Sequence, residues 1–423
     1  MSSLSMDETK KLVSFSDDSL HVESKGASLF SSTVNLTNTI VGAGVLTIPH
    51  AFLDTGAALG IMLLLFVCFF SSFGMYFLTV CCEITGAFSY KAIGKKSMGN
   101  AMGYVVEFVV GVTTIGSCTM FCVLMGDFVP SITNQLLSSS VPAFLLDRTS
   151  LLILIMCIVL LPLALLPKLD KLRFTSAIAM LFFLYLVSVA VFRYLTNSYE
   201  QPTNTTFRWF NISTDIFLSI PLISVAFTAH YNVCNLYKEL KQRTPQRFVL
   251  CILGAACFCL VFYSLLGLAG YGSFRAETKG NIVQNYAADD VLIIIARIGV
   301  SFTLAFSFPL AFFACRSAFE NFFLNNPKPL WRRQCLFVFI LVPAIVTVSI
   351  LEKRVENVVR LSGSTTGMFV TFILPALFFL RLSGKLEADW RRTLKRGFAC
   401  TNVVLGMIFL YFGTTNSWKQ FYQ

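Results

Sequence analysis

The sequence predicts an all-α polytopic membrane protein with eleven transmembrane helices, arranged as a five-plus-five inverted repeat with one extra helix. Hydrophobic residues make up 56% of the 423-residue chain and charged residues only 13%, a composition typical of membrane-embedded bundles. Eleven apolar segments are long enough to cross a bilayer. Because five crossings invert the topology, eleven crossings divide into two five-helix halves of opposite orientation and one remaining helix.

These segments define a membrane domain between two short tails. The first residues are polar and rich in serine, without the apolar core of a removable signal peptide, so a disordered cytosolic tail is expected. The expected parts are a tail at 1–27, a membrane domain at 28–415 and a C-terminal tail at 416–423. Within the membrane domain, we expect repeat one at about 29–195, repeat two at about 213–380 and the extra helix at about 397–415.

The charges of the loops predict the orientation in the membrane. Most of the 33 lysines and arginines lie in the tail and loops that are cytosolic if the N-terminus is cytosolic, so the C-terminus is expected outside the cell or in an organelle lumen. This bias also accounts for the net charge of +11 without a nucleic-acid partner. Two glycosylation sequons, at Asn204 and Asn211, fall in a loop on the predicted outer side.

The first apolar segment is poorly suited to form a continuous membrane helix. Residues 34–49 contain two amides, several hydroxyls, Gly42, Gly44 and Pro49, although every backbone N–H and C=O in hydrocarbon needs a partner. The pattern predicts a helix that breaks halfway and frees backbone groups for a ligand. A glycine seam for helix packing is the alternative. An inverted repeat requires a second break in segment six, and Phe227–His230 is where we expect it.

The two breaks supply candidate ligands for a substrate. Backbone N–H groups after Gly44 suit a carboxylate, and the carbonyl groups before it can face an amine or a cation. Phe227 would cover a substrate side chain, and Thr228 would bind an amine. His230 is either a proton sensor or a structural histidine that ties two helices together. The candidate substrate-binding residues are Thr39, Val41, Gly42, Ala43, Gly44, Phe227, Thr228 and His230.

Oxygen-bearing side chains near the first break are candidate ligands for a cation. Asn38 lies one turn before the glycines, and segment eight carries Thr303 and Ser307 ahead of Pro309. Hard oxygen ligands of this kind suit a sodium ion, and no other metal site is expected. The alternatives are an Asn38 amide that bonds a neighbouring helix and hydroxyls that bond back within their own helix.

Catalytic chemistry is not expected. The sequence has no phosphate loop, no metal cluster and no nucleophile with a base at a useful spacing, which disfavours an enzyme, a resident cofactor and an ATP-driven pump. A channel is disfavoured because the polar residues cluster at the centre of the spans. Glu107 and Asp127 lie near the ends of the long third segment, where we expect ion pairing or snorkelling in preference to a proton relay.

Four stretches of the sequence carry a family resemblance. They are residues 35–49 in segment one, 226–233 with 237–240 in segment six, 306–309 with Cys315-Arg316 in segment eight, and 362–367 with 372–375 in segment ten. Together they resemble the amino acid/auxin permease family, and within it the sodium-coupled neutral amino acid transporters and the vacuolar amino acid transporters. The likeness extends over about residues 28–415, with the four stretches in order at the corresponding helices.

The resemblance implies an eleven-helix symporter that moves amino acids across a lipid bilayer by alternating access, coupled to sodium or protons. Asn38 matches an asparagine implicated in sodium binding. Ala305 stands where sodium-coupled members carry a hydroxyl, which favours proton coupling or a loose cation requirement. The pocket lacks an evident charged partner, so we expect a neutral amino acid as substrate and a monomer in a vacuolar, lysosomal or plasma membrane. A sensor that binds an amino acid and signals with little flux is the alternative function.

Overall fold

The computed structural model describes residues 26–137, 142, 146–166, 173–199, 206–324 and 330–421. Within these ranges the protein is helical apart from turns, short connections and one backbone bridge. The helices are α1 (Leu29–Ile40), α2 (Ile48–Thr55), α3 (Ala57–Thr85), α4 (Tyr90–Met98), α5 (Asn100–Leu137), α6 (Arg148–Ala164), α7 (Arg173–Leu195), α8 (Ile216–Ala226), α9 (His230–Glu239), α10 (Pro245–Phe274), α11 (Val291–Leu324), α12 (Trp331–Leu351), α13 (Val355–Lys385) and α14 (Trp390–Phe421).

The helices account for all of the predicted apolar segments, although not all of them at full spanning length. Nine spans in the described ranges are long and apolar enough to cross a membrane, and the bent pair of α1 and α2 makes ten. α6 is shorter than a typical membrane span. The protein is therefore a polytopic helical membrane protein, while the count of eleven helices and the inverted repeat stay predictions.

The first break lies where the sequence predicts it. α1 ends at Ile40, and the chain passes through an extended Gly42 and the 3₁₀ turn Ala43–Thr47 before α2 begins. Pro49 occupies the first turn of α2, where the missing N–H has no helical partner to lose. The axes of α1 and α2 differ by 53° at this point. Glycine and proline thus separate the two half-helices as expected from their backbone chemistry.

The second break separates α8 from α9, again as predicted. α8 ends at Ala226, and α9 begins at His230. The carbonyl group of Phe227, which lies between them, accepts a hydrogen bond of 3.1 Å from the Ser71 hydroxyl of α3. A Cβ atom on Gly44 would lie only 3.3 Å from the backbone of Ala226, so the two broken spans touch at their breaks.

The long helices α5 and α11 form the frame behind the breaks and pack against each other along much of their length. A glycine allows one close approach, since a Cβ atom on Gly111 of α5 would lie 3.1 Å from the ring of Phe319 on α11. Pro130 and Pro309 lie inside these helices. The predicted long third and eighth segments are thus single helices of 38 and 34 residues.

The two ends of the described chain differ from the expected boundaries. The last helix, α14, runs over Trp390–Phe421 and so extends beyond both limits of the predicted extra helix at 397–415. Most of the predicted tail at 416–423 belongs to α14, and Gln420 near its end accepts a hydrogen bond from Arg360 of α13. Most of the predicted tail at 1–27 lies outside the described residues. Ala27 itself pairs with the chain at the end of α9: its N–H donates to the Glu239 carbonyl at 2.7 Å, and its carbonyl accepts from the Lys241 N–H at 2.9 Å.

Candidate functional site

A cavity of about 560 Å³ begins at the two breaks and extends to one end of the bundle. Gly42, Gly44 and Thr228 line it at the breaks, and Lys91, Glu107 and Asn321 line it at the other end. Because these last three residues lie near the beginning of α4, the beginning of α5 and the end of α11, we call this the mouth end. The predicted substrate residues that line the cavity are Thr39, Val41, Gly42, Gly44 and Thr228.

Two polar side chains that line the cavity near the first break have no hydrogen-bond partner among the described residues. Asn38 and Ser307 both line the cavity, and neither side chain makes a hydrogen bond within the part of the chain that the structure describes. By contrast, the Thr228 hydroxyl lies 3.0 Å from that of Thr371 and donates to the Ser224 carbonyl at 2.7 Å. Asn38 and Ser307 therefore have hydrogen-bonding capacity left for a ligand or an ion.

Asn38 and Ser307 also line a second, much smaller cavity, of about 40 Å³, together with Thr303. The structure thus brings the three candidate cation ligands together. The Thr303 hydroxyl donates to the Gly299 carbonyl at 2.9 Å, and its oxygen still has a lone pair for a cation. Most of the remaining wall is apolar, including Val45 and Phe183. The space is of the size of one ion or one water molecule.

Gly42 and Gly44 have different roles at the first break. Gly42 has an extended backbone, with φ −111° and ψ −171°, and a Cβ atom there would meet only the Ile40 carbonyl oxygen, at 4.0 Å. Gly44 is buried against Ala226, as described above. Gly42 thus leaves space at the cavity wall, whereas Gly44 permits contact between the two broken spans. Ala43 begins the turn between them.

Two of the predicted substrate residues, Phe227 and His230, lie outside the lining of the cavity. Phe227 is buried, and its ring packs 5.2 Å from that of Tyr263, measured between centroids. His230 is also fully buried, and its Nε2 donates to the Ser71 carbonyl of α3 at 3.1 Å. Its Nδ1 has no partner among the described residues. This geometry corresponds to the structural histidine of the two alternatives, since it ties α9 to α3.

Among the described residues, the charged side chains that line the cavity lie at the mouth end. Lys91 Nζ lies 3.4 Å from Glu107 Oε1, and the same oxygen accepts a hydrogen bond of 3.2 Å from the Asn321 amide. The expected pairing of Glu107 is thus confirmed. Among the described residues that line this cavity, these two charges are the only ones, and they neutralise each other. Next to the breaks, the described lining residues are uncharged.

The opposite end of the bundle, which we call the closed end, is held by a buried ion pair. Arg360 of α13 donates to Asp54 of α2 at 2.6 Å and to the Gln420 side chain of α14 at 2.6 Å. Only 2% of the Arg360 side chain and 15% of the Asp54 side chain are exposed. The Ser219 hydroxyl of α8 also donates to Asp54, at 3.2 Å. Four helices thus meet at one carboxylate–guanidinium contact.

Further contacts fix the closed end. Asp127 of α5 accepts a hydrogen bond of 3.0 Å from Asn281 and lies 3.8 Å from Arg148, which confirms its expected pairing. Asp290 pairs with Arg193 at 2.6 Å, and the Tyr199 hydroxyl donates to it at 2.8 Å. Burial raises the pKa of the Asp290 carboxyl, but these partners lower it more, so that its pKa lies below the ordinary value of 3.8.

Tyr263 of α10 contacts both helix breaks, and the sequence analysis did not predict this. Its hydroxyl lies 3.2 Å from the Ile40 carbonyl, at the end of α1, and 3.0 Å from the Ala226 carbonyl, at the end of α8. The side chain is fully buried. A tyrosine in an otherwise apolar span was a usable signal, because its hydroxyl needs a partner there.

Comparison with known proteins assigns the family. The profile of the family described as "Transmembrane amino acid transporter protein" matches residues 25–418, nearly the whole chain. The chain belongs to the transmembrane amino acid transporter family. This transporter is 27% identical over 399 residues to "Vacuolar amino acid transporter 5" of Schizosaccharomyces pombe, covering 90% of this chain and 92% of the relative. It is 24% identical over 410 residues to "Amino acid transporter AVT6E" of Arabidopsis thaliana, covering 92% and 83%.

Family membership makes this transporter a multi-pass membrane protein whose substrate class is the amino acids, and it points away from an enzyme. The resemblance to the amino acid/auxin permeases is thereby confirmed. The predicted glycosylation sites stay predictions. Asn204 lies outside the described residues. Asn211 is half-buried, and its amide nitrogen donates to the Asp54 carbonyl oxygen at 2.9 Å, which occupies the atom that a glycan would need.

Proposed function

We propose that this protein is a secondary active transporter that moves neutral amino acids by alternating access. The main support is a cavity that leads from the mouth end to two touching helix breaks and stops there. Broken spans present free N–H groups and carbonyls to the polar head of an amino acid. Beyond the breaks, buried apolar residues such as Leu46 and Phe52 fill the bundle towards the closed end. This arrangement suits a state that is open on one side only.

The proposed preference for neutral amino acids follows from the charges around the cavity. A cationic or anionic substrate side chain would need a compensating charge in this partly dry space. Among the described lining residues, only Lys91 and Glu107 are charged, and each is already paired with the other. The wall near the breaks offers hydroxyl, amide and apolar groups instead, for example Ser117, Asn232 and Met120. A zwitterion with an uncharged side chain fits these surroundings.

Coupling to a cation gradient is the second part of the proposal. Asn38, Thr303 and Ser307 would supply oxygen ligands at the 40 Å³ cavity, which adjoins the substrate cavity. Apolar groups make up most of that wall, and Ala305 adds no hydroxyl, so we favour a proton gradient or a loose cation requirement over strict sodium coupling. The loop charges favour a cytosolic mouth end, and the name of the Schizosaccharomyces pombe relative supports a vacuolar membrane.

Flux through purified protein tests this function. The protein is reconstituted into proteoliposomes, and uptake of a panel of labelled amino acids is measured with sodium or choline outside, with and without a pH gradient. We expect saturable uptake of neutral amino acids that survives the replacement of sodium and responds to the pH gradient. Lysine and glutamate should compete weakly, because the paired Lys91 and Glu107 leave no net charge for them.

Each alternative gives a different result in the same vesicles. Saturable binding without flux would exclude a transporter and favour a sensor. Flux that rises in proportion to concentration without saturation would favour a channel. Uptake that disappears in choline at every pH would replace the proton by sodium as the driving ion. Variants of the cation ligands are compared with the control Asn35→Ala, which removes an amide from the same helix as Asn38. Asn35 lies one turn from Asn38 and is not among the residues that line either cavity.

A further inference from the structure

We propose that Tyr263 is a positioning residue that links the two helix breaks, so that a substrate bound at one break orders the other. The proposal rests on the transport function given above. Three features of the described residues support it: the position of the Tyr263 hydroxyl, the helix ends that it contacts, and the dry surroundings of the ring. None of these features requires a contact between Tyr263 and the substrate.

The Tyr263 hydroxyl is shared between two carbonyl groups. It lies 3.2 Å from the Ile40 oxygen and 3.0 Å from the Ala226 oxygen, and a hydroxyl has only one hydrogen to donate. The two carbonyls therefore share one donor in a three-centre hydrogen bond. A shift of either half-helix changes the bond to the other, because the single hydrogen moves towards the nearer oxygen.

Both carbonyl groups stand at the C-terminal ends of half-helices. Ile40 is the last residue of α1, and Ala226 is the last residue of α8. The negative end of a helix dipole lies at this terminus, and in a broken membrane span it needs a donor or a cation. Here the Tyr263 hydroxyl, on a third helix, supplies the donor for both ends at once. The carbonyl of Ile40 has one further partner, the N–H of Gly42 at 2.8 Å.

The surroundings of Tyr263 fix its ring and keep water out. The residue is fully buried, and its ring centroid lies 5.2 Å from that of Phe227 and 6.2 Å from that of Phe183, whose ring is nearly perpendicular to it. An unpaired carbonyl in such a place loses a hydrogen bond that water cannot replace. Tyr263 thus joins the carboxyl ends of α1 and α8 without lining the substrate cavity, whereas Ile40 does line it.

The test compares three conservative substitutions that each remove one hydroxyl. Tyr263→Phe removes the donor at both breaks. Ser71→Ala removes the donor to the Phe227 carbonyl and so affects the second break alone. Tyr185→Phe is the matched control, because its hydroxyl donates to the Leu292 carbonyl at 3.1 Å, away from both breaks. KM and maximal uptake rate are measured in proteoliposomes, and the shift of the melting temperature on adding substrate is measured in detergent.

We expect KM to rise about 5-fold in Tyr263→Phe, less in Ser71→Ala and not at all in Tyr185→Phe, since the one shared hydrogen bond is worth about 1 kcal/mol. The melting temperature without substrate should fall by a similar amount in Tyr263→Phe and Tyr185→Phe. Only Tyr263→Phe should also lose most of the stabilisation by substrate. A purely structural role would lower the melting temperature and leave KM unchanged.

An unchanged KM in Tyr263→Phe would overturn the inference, as would an equal rise of KM in Tyr185→Phe. If the wild type transports nothing, the proposed function fails first, so the two failures are distinguishable. If Tyr263→Phe does not fold, hydrogen exchange of the wild type decides. The amides of residues 40–45 and 226–231 should gain protection together when substrate binds, and protection of one break alone would contradict the link.

Discussion

Removal of the Asp54 charge should open the closed end of the bundle. In Asp54→Asn the side chain keeps its shape and an acceptor oxygen, but Arg360 keeps its positive charge with 2% exposure and no neutralising carboxylate at 2.6 Å. Breaking one partner of a buried ion pair costs about 3–5 kcal/mol. Because 15% of the Asp54 side chain is exposed, we take the lower limit, about 3 kcal/mol.

In the proposed alternating-access cycle, this cost applies to the state in which the closed end is shut, since α2 and α13 would separate when that end opens. A penalty of about 3 kcal/mol shifts the ratio of open to shut molecules by about 100-fold, since each 1.4 kcal/mol is a factor of ten. The hydrogen bond from Arg360 to Gln420 is retained in the wild type and in Asp54→Asn, so it does not contribute to the difference between them.

Cysteine labelling measures this shift. Ser219 is fully buried beside Asp54, so Ser219→Cys, in a background without the exposed cysteines at 157, 257 and 400, reacts with a charged thiol reagent only when the closed end opens. The labelling rate should rise about 100-fold when Asp54→Asn is added. Asp215→Asn is the matched control, because this exposed carboxylate at the same end accepts a hydrogen bond from Ser213 and from no other described residue. An equal labelling rate in both variants would refute the assignment of Asp54–Arg360 as the closing contact.

Four further predictions concern other residues. Gly42→Ala should change the melting temperature by no more than about 2 °C, which corresponds to about 0.5 kcal/mol of stability. It should raise KM about 10-fold, because the added methyl group occupies cavity space. Asn38→Ala should weaken the dependence of uptake on the driving cation, by about 2 kcal/mol for one lost ligand, measured as the cation concentration for half-maximal uptake. Asn211→Gln should leave the electrophoretic mobility unchanged, since its amide is already engaged. Asp290→Asn should lower the melting temperature by the same amount at pH 5 and at pH 7, because both pH values lie well above the carboxyl pKa.

The sign of the Asp290 prediction follows from its lowered pKa. Burial raises the pKa of the Asp290 carboxyl, but the partners Arg193 and Tyr199 together lower it by more, so the pKa lies below 3.8. A lowered pKa contributes stability that is present above the unfolded-state value and is lost as pH falls through the folded-state value. The pair with Arg193 should therefore stay intact in an acidic lumen. A loss of stability that appears in the wild type between pH 7 and pH 5 must come from other groups.

The sequence predicts both helix breaks correctly because the signal is local. Glycine, proline and polar side chains within one apolar span cannot form a continuous helix in hydrocarbon, wherever the span lies in the bundle. The pairing of Glu107 and Asp127 is predictable for a similar reason, since charges near helix ends find partners or water. The cavity residues Asn38, Thr228 and Ser307 follow from the same polar pattern.

Other features depend on directions that a sequence does not contain. Phe227 and His230 belong to the second break, yet their side chains point away from the cavity and pack against α10 and α3. The contact of Asp54 with Arg360 joins residues 306 positions apart, and that of Tyr263 with Ile40 joins residues 223 apart. Such pairs follow from the arrangement of helices, which hydropathy does not determine.

The contact between Arg360 and Gln420 makes the end of α14 part of the closed end. Any movement that separates α13 from α2 therefore also changes the surroundings of the last helical turn. A fluorophore attached near residue 420 would report each opening of the transporter as a change in emission, without a probe inside the cavity. The same contact means that a bulky purification tag joined directly after α14 would disturb the conformational equilibrium, whereas a tag separated by a flexible linker would not.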